Sequence, residues 1–345
     1  QTPATVMSTL ATMQPTSDFG ELFQYSNPLA AAAGYIGGQV AHPGSELGQG
    51  YDRAMQELVF DPLGMDDTTF DYARAQTGNY ASPHGYDIDH AVQVMDMGLN
   101  DSVAASRPAG AGWSTVNDVL KYVQMELDLG TLPDGSRYIG EPALLQRREP
   151  QIATGVDSDY AMALEVDRAD GVEVIDHGGA MGGFRSNMMW WPEQKVGAVI
   201  LTNADEGGYL LGPFKRYLTE LMFDGDPQAQ AAALAVARAN REAFDAQRKL
   251  LQWPADANAL AGLAAHYRNP ALGELQVRQE DGRTVFDVGG FSSAVATLPQ
   301  PDGSLAFVTI DPVAAGFAFV RADQDGERRL VVRDGQHEYV FAEVH

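Results

Sequence analysis

Residues 172–203 read VEVIDHGGAMGGFRSNMMWWPEQKVGAVILTN. Three strand-like runs stand in this stretch, Val172–Ile175, Phe184–Trp191 and Val196–Thr202. Each has the length of a strand rather than a helix, and each is bounded by glycines or by Pro192-Glu193-Gln194. Together with Tyr160–Val166 just upstream they are expected to form successive antiparallel strands of one sheet. Pro192-Glu193-Gln194 then turns the chain between the last two strands.

Working outward, the flanks change from period 2 to the helical period. Gln1–Gln14 reads as a short helix, and Pro15–Gly20 punctuates it. Leu29–Val40 is small and apolar, which predicts a tightly packed buried helix. Tyr51–Phe60 puts Ala54, Met55, Leu58 and Val59 on one helical face, with Asp61-Pro62 expected to end it. Asp66–Asn100 is polar, carries glycines and has no clean period, so an extended loop region is expected. Ser114-Thr115 caps the next helix, with Asp118 as the capping-box acid. Val116, Val119, Leu120, Val123 and Leu127 follow at helical spacing, and Gly130 stops the run. Tyr209–Met222 is again helical.

Beyond Gly225-Asp226-Pro227 the character shifts. Gln228–Leu251 is an Ala/Arg-rich helix, and after Pro254 four Asp-Gly pairs (281-282, 302-303, 325-326 and 334-335) stand among short strands expected over Leu275–Val277, Thr284–Val288, Ala306–Ile310, Phe317–Val320, Leu330–Arg333 and Glu338–Phe341. Asp-Gly is a strong hairpin signal because both residues tolerate positive φ. The expected organisation is an α+β domain over 1–225, an antiparallel sheet flanked by helices. A helical linker over 226–255 and a small all-β barrel over 256–345 would follow.

The chain has 345 residues, 45% of them hydrophobic, which suffices for a sizeable core. Its 47 acidic residues outnumber its 23 basic ones and give a net charge of −24. Such a field repels phosphate backbones and anionic lipid, so neither a nucleic acid nor an anionic membrane surface is an expected partner. There is no cysteine, which excludes disulfides, thiolate nucleophiles and zinc–thiolate sites. No stretch approaches the roughly 18 apolar residues of a membrane span.

Four groups of residues can carry chemistry. Tyr25-Ser26-Asn27 places a phenol and an amide two positions apart in a loop before a helix. The phenol can relay protons and the amide can orient a carbonyl. A loop tyrosine packed with its hydroxyl satisfied accounts for the same letters. His177-Gly178-Gly179-Ala180 puts an imidazole beside a glycine pair, where a ligand can approach the backbone and the Ala180 N–H can act as an oxyanion donor. A glycine-rich bulge beside a structural histidine is the competing reading. His84-Gly85-Tyr86-Asp87-Ile88-Asp89-His90 has two imidazoles and two carboxylates, but its spacing matches no known ligand framework, and no metal is expected. Asp323–Glu327 lacks a terminal bidentate glutamate at the right place and reads as a hairpin turn rather than a calcium loop.

The order of the motifs is more specific than any one of them. Tyr25-Ser26-Asn27 comes first, then Asp61–Thr68, then Pro108-Ala109-Gly110 with Trp113–Asp118. His177-Gly178-Gly179 and Val199–Asn203 complete the series. Taken together they resemble the class C-like branch of the serine β-lactamase and penicillin-binding-protein superfamily. That branch holds β-lactamases, D-Ala-D-Ala carboxypeptidases, D-amino-acid peptidases and esterases. The resemblance covers about residues 10–225. Gly262–Pro270 with Leu272-Gly273 looks like the lipocalin-like barrel that some members carry behind the catalytic domain.

The resemblance implies roles. Tyr25 would relay a proton to the leaving group and Asn27 would hold the substrate amide. His177 would replace the family's usual lysine in its Lys-Thr-Gly element, Gly178 and Gly179 would complete that element, and the Ala180 N–H would be half of the oxyanion hole. The family's nucleophile lies in a Ser-x-x-Lys helix ahead of the tyrosine motif. No serine in this sequence is followed by lysine three residues later; the lysines are Lys121, Lys195, Lys215 and Lys249. The family's first strands are also missing, which would leave a sheet edge and an apolar helix face open. The expectation is therefore the C-terminal portion of a periplasmic or secreted serine hydrolase. It would act through an acyl-enzyme on a small amide or ester, with the N-terminal segment of the same precursor supplying serine and lysine. No cofactor is implied. A non-catalytic peptide-binding or regulatory module of the same fold is the alternative.

Overall fold

The structure, a computed structural model, describes residues 2–324, 326–334 and 337–345. In chain order the helices are α1 (Pro3–Thr9), α2 (Asn27–Ala41), α3 (Leu47–Met55), α4 (Asp61–Leu63), α5 (Tyr72–Gln76), α6 (Gly98–Ser102), α7 (Val116–Leu127), α8 (Glu141–Arg148), α9 (Gly208–Met222), α10 (Ala229–Leu250) and α11 (Ala257–Ala261). The strands begin with β1 (His84–Tyr86), β2 (Val92–Val94), β3 (Ile152–Ala153), β4 (Ser158–Tyr160), β5 (Glu165–Asp167), β6 (Val174–Met181), β7 (Phe184–Trp191) and β8 (Val196–Thr202). They continue with β9 (His266–Asn269), β10 (Gly273–Glu280), β11 (Arg283–Asp287), β12 (Ser292–Pro299), β13 (Leu305–Thr309), β14 (Ala318–Arg321), β15 (Arg329–Arg333) and β16 (Glu338–Glu343). Two compact units result, one of residues 1–81 and 100–232, the other of residues 82–99 and 233–345.

In the first unit β3 to β8 form one antiparallel sheet in sequence order. Alternation along the strands explains why both faces are buried. Ile175 and Trp190 point to one face and pack with Val123 of α7, while Val174, Met189 and Trp191 point to the other, against Phe214 and Leu218 of α9. A further helical core joins Val6, Ala31, Tyr35, Tyr51 and Ala105. It requires glycine at one crossing: a Cβ on Gly38 of α2 would lie 2.7 Å from the Tyr51 backbone nitrogen.

Several local expectations change. The strand read over Tyr160–Val166 is two strands, β4 and β5, separated by a tight turn with Ala163 at φ 55°. The sheet has six strands rather than about four. Helix α2 is buried on one side only; Ala31, Ala32, Tyr35 and Gly38 face inward while Leu29, Ile36 and Val40 are exposed. Proline 62 does not end its helix. The chain widens by one residue per turn over Gln56–Phe60 and runs on through α4 to Gly64, which stops it at φ 65°. Pro62 has no N–H for the Leu58 carbonyl, and the Tyr138 hydroxyl donates to that oxygen instead, at 2.5 Å. Asp118 does not close a capping box. Its carboxylate accepts from Asp67 N at 2.8 Å, from the Thr68 hydroxyl at 2.9 Å and from Lys121 at 2.9 Å.

In the second unit β9 to β16 close into an antiparallel barrel, with β9 pairing both β10 and β16. Tyr267, Leu275, Phe286, Val295, Phe307 and Phe341 fill its interior, so it is a packed core. Strands β9 and β12 were not expected from the sequence. The region read as an extended loop, Asp66–Asn100, contains α5, the β1–β2 hairpin and the start of α6. Within it Ile88 joins Leu251 and Trp253 against Val285, Ala294 and Ile310 on the outside of the barrel. Of the Asp-Gly pairs, Asp281-Gly282 has positive φ at both residues, 50° and 75°. At Asp302-Gly303 only the glycine does, and the Asp302 carboxylate accepts from Ser304 N. Asp325 and Gly335 lie outside the described residues. Among the described residues no helix is long and apolar enough to cross a membrane.

Candidate active site

Tyr25 lies just before the N-terminus of α2. Ser26 caps that helix, its hydroxyl accepting from Leu29 N at 3.4 Å, and Pro28 occupies the first turn, where its missing N–H costs nothing. The cap fixes where the chain turns, and Tyr25 stands one residue before it with half its surface exposed. Asn27 is the first residue of α2 and is exposed.

Strand β6 supplies the other side. It pairs with β5 only over Val174–Asp176, whereas its pairing with β7 runs on through Met181. From His177 to Met181 the edge opposite β7 therefore carries no strand among the described residues. Gly178, Gly179 and Ala180 are exposed there, and backbone groups pointing away from β7 can meet a ligand. The hairpin turn that follows is pinned from three directions. Asn100 donates to Gly182 O at 2.8 Å, Gly183 N donates to the Asp205 carboxylate at 3.0 Å, and Arg185 donates to Met181 O at 2.7 Å.

Tyr25 and His177 meet, with ring centroids 6.2 Å apart. Among the described residues no hydrogen bond or ring contact ties Asn27 or Ala180 to either of them. A third ring, not expected from the sequence, completes the group. Tyr160 ends β4, its hydroxyl lies 3.0 Å from His177 Nε2, and its ring stands edge-on to Tyr25 at 6.3 Å and against Phe23 at 4.8 Å. Tyr160 and His177 are 17 residues apart, and only the β4–β5–β6 register brings them together (Tyr160 opposite Glu165, Glu165 opposite Asp176). No local motif carries that signal.

Phe23, Tyr25, Ser158, Tyr160, Glu165 and Asp167 help to line a cavity of about 640 Å³. Desolvation, then the neighbouring Tyr25 and Glu165, push the Tyr160 phenol up to about 12. Desolvation and repulsion by Asp176 hold the Glu165 carboxyl above its usual range, against the pull of His177 and Lys215. Behind the cavity wall Lys215 of α9 bridges Asp167 at 2.5 Å and Asp176 at 2.7 Å, tying β5 to β6 next to His177.

The His84–His90 segment is strand β1 and the turn that leads toward β2. The Asp87 carboxylate accepts from Asp89 N, Ala91 N and Gln93, and His90 stacks on Tyr86 at 3.8 Å. Among the described residues no three metal-ligating side chains converge anywhere. In the Asp323–Glu327 segment Gln324 pairs with Glu327, and Asp325 between them lies outside the described residues.

A helix-flanked antiparallel sheet with a phenol and an imidazole meeting at an open strand edge is the framework that the motif order anticipates. The Beta-lactamase family model matches residues 1–212. The chain belongs to the beta-lactamase family. It is similar to penicillin-binding protein 4 of Amycolatopsis lactamdurans, 30% identical over 185 residues that cover 51% of this chain and 46% of the relative. The chain thus spans about half the length of the curated relative it matches. Among solved structures, the octameric penicillin-binding protein homologue from Pyrococcus abyssi shares the fold at 15% identity. It covers 99% of this chain and 70% of that one, with a TM-score of 0.56. The beta-lactamase/D-alanine carboxypeptidase from Pseudomonas syringae aligns at 18% identity over 59% of this chain and 61% of that one, with a TM-score of 0.46.

Proposed function

We propose that this chain forms part of a serine hydrolase acting through an acyl-enzyme on a small amide or ester: a β-lactam, a D-amino-acid peptide or a carboxylic ester. In this reading the N-terminal segment of the same precursor brings the nucleophilic serine and its lysine, and the assembly works in the periplasm or outside the cell. The observation that carries it is the meeting of Tyr25 and His177, 152 positions apart in the chain, at the unpaired edge of β6. Tyr25 then relays the proton to the leaving group, Asn27 orients the substrate amide, and Gly178 and Gly179 let the acyl group approach the Ala180 N–H. The outer edge of β8, unpaired among the described residues, and the exposed Leu29, Ile36 and Val40 of α2 are where the N-terminal segment would dock.

The experiment mixes this chain with the precursor segment that precedes Gln1 and labels the mixture with fluorescent penicillin or a fluorophosphonate. Covalent label on a serine of the added segment, weakened at least tenfold by Tyr25→Phe, is the expected result. A complex that forms and takes no label overturns hydrolysis. It would favour the alternative, a peptide-binding or regulatory module, to which the absence of Ser-x-x-Lys from this sequence already points.

A further inference from the structure

Both ring nitrogens of His177 are engaged. Nδ1 lies 2.7 Å from the Gly178 carbonyl oxygen, and Nε2 lies 3.0 Å from the Tyr160 hydroxyl. A carbonyl oxygen only accepts, so the proton sits on Nδ1. In the neutral ring Nε2 is then a lone pair, and the Tyr160 O–H must donate to it. The opposite tautomer would set the Nδ1 lone pair against a carbonyl oxygen at 2.7 Å. Tyr160 suits the donor role because its phenol keeps its proton well above neutral pH. Its placement is also secure: the β4–β5 hairpin sets its position, and Phe23 packs on its ring.

We infer that Tyr160 is a positioning residue: the Gly178 carbonyl holds His177 in the Nδ1–H tautomer, and the Tyr160 hydroxyl, donating to Nε2, occupies that lone pair and holds the ring beside Tyr25. No nitrogen of the imidazole is left over to address a substrate directly. Any proton exchanged between the cavity and Nε2 passes through the Tyr160 hydroxyl, which gives its own proton to the ring as it receives another. The histidine's contribution to chemistry is therefore set by a second tyrosine that lies outside the Tyr-Ser-Asn and His-Gly-Gly motifs. The purpose of this arrangement rests on the hydrolase reading; the arrangement itself does not.

Nitrogen-15 NMR of the imidazoles reads the tautomer directly in this chain, with the His177 signals assigned by their loss in His177→Gln. The expected wild-type spectrum shows a protonated Nδ1 and an unprotonated Nε2 for His177. Tyr160→Phe is expected to keep the proton on Nδ1, which the Gly178 carbonyl still holds, and to move the Nε2 resonance further from its protonated position as the lone pair loses its donor, while Tyr25→Phe leaves both resonances unchanged. Incorporating 3-fluorotyrosine, a stronger phenol donor, tests the same bond without a truncation, and should move the Nε2 resonance toward its protonated position. A wild-type His177 with its proton on Nε2 overturns the inference, as does a spectrum indifferent to both Tyr160→Phe and fluorotyrosine. Because no catalysis is measured, an unlabelled reconstituted complex would sink the hydrolase reading and leave this one standing.

Discussion

The two sheets of this protein manage their edges in opposite ways. The barrel joins β9 to both β10 and β16 and has no edge left. Its interior holds Phe286, Phe307 and Leu330, each fully buried. The six-stranded sheet is open. Among the described residues its β8 has a neighbour on one side only, and its β6 outruns β5 by the five residues His177–Met181. Every side chain proposed for chemistry belongs to the open sheet, to the loop that meets it or to the first turn of α2. The lesson is about where backbone polar groups go. A closed ladder satisfies them all and leaves only packing to optimise, whereas an interrupted ladder keeps donors and acceptors for a ligand or another chain.

The largest effect should fall on the closed sheet. Phe286 is fully buried, with Phe307 and Phe319 rings 5.8 and 5.2 Å away. Phe286→Ala removes an aromatic ring from a filled interior and should cost about 3–5 kcal/mol in chemical denaturation. A loss under about 1 kcal/mol would show that the barrel interior is loosely packed, and the contrast between the two sheets would fail.

Next comes the ion cluster behind the open sheet. Lys215→Met leaves Asp176, which is almost wholly buried, without its cation and should cost roughly 2–4 kcal/mol. The pH dependence has two limbs. Burial raises the Asp167 carboxyl, but the hydrogen bonds from Lys215 and Ala169 N and the charge of Lys215 together outweigh that and hold it below the usual range. Its share of stability is present above the unfolded carboxylate value and fades as pH falls through the lower folded one. Burial lowers Lys215, but attraction to Asp176 and its hydrogen bonds to both carboxylates hold it above the usual range. Its share is present below the unfolded lysine value and fades as pH rises through the folded one. Wild-type stability should therefore fall at both ends of a series from about pH 3 to 11, and Lys215→Met should shrink the alkaline limb, of which buried phenols such as Tyr160 keep a share. An alkaline limb of undiminished size in the variant would show that Lys215 does not tie β5 to β6.

The same contrast explains what was legible in the sequence. The long strands β7 and β8 are readable because runs of seven or eight residues rich in aromatic, Met and β-branched side chains between turn signals admit few alternatives. β12 was missed because its Ser-Ala-Val-Ala-Thr core lacks the bulky alternation of a strand, although Ala294–Thr297 are buried. The β1–β2 hairpin was missed because two three-residue strands hardly register as periodicity. Helix α2 was read as buried because small residues pack well, yet composition does not say on how many sides. At the candidate site the motifs pointed to Tyr25 and His177. Tyr160 was invisible because two strand registers, set over 17 residues, deliver it to the imidazole.

The smallest effect on stability should come from the open edge itself. Leu201 of β8 is 38% exposed and opposes Ser186 of β7, with no strand beyond it among the described residues. Leu201→Lys places a hydrated charge where little is buried, so this chain should keep its stability within about 0.5 kcal/mol. A lysine on an edge strand is also an effective block to further strand pairing. If the N-terminal segment docks along β8, the same variant should lose co-elution with that segment in size-exclusion chromatography and at least tenfold in affinity. A variant that is strongly destabilised would mean that Leu201 is already part of a packed core. One that is stable and still binds with full affinity would mean that the partner sits elsewhere, and the difference between the closed and the open sheet would then reflect substrate access alone.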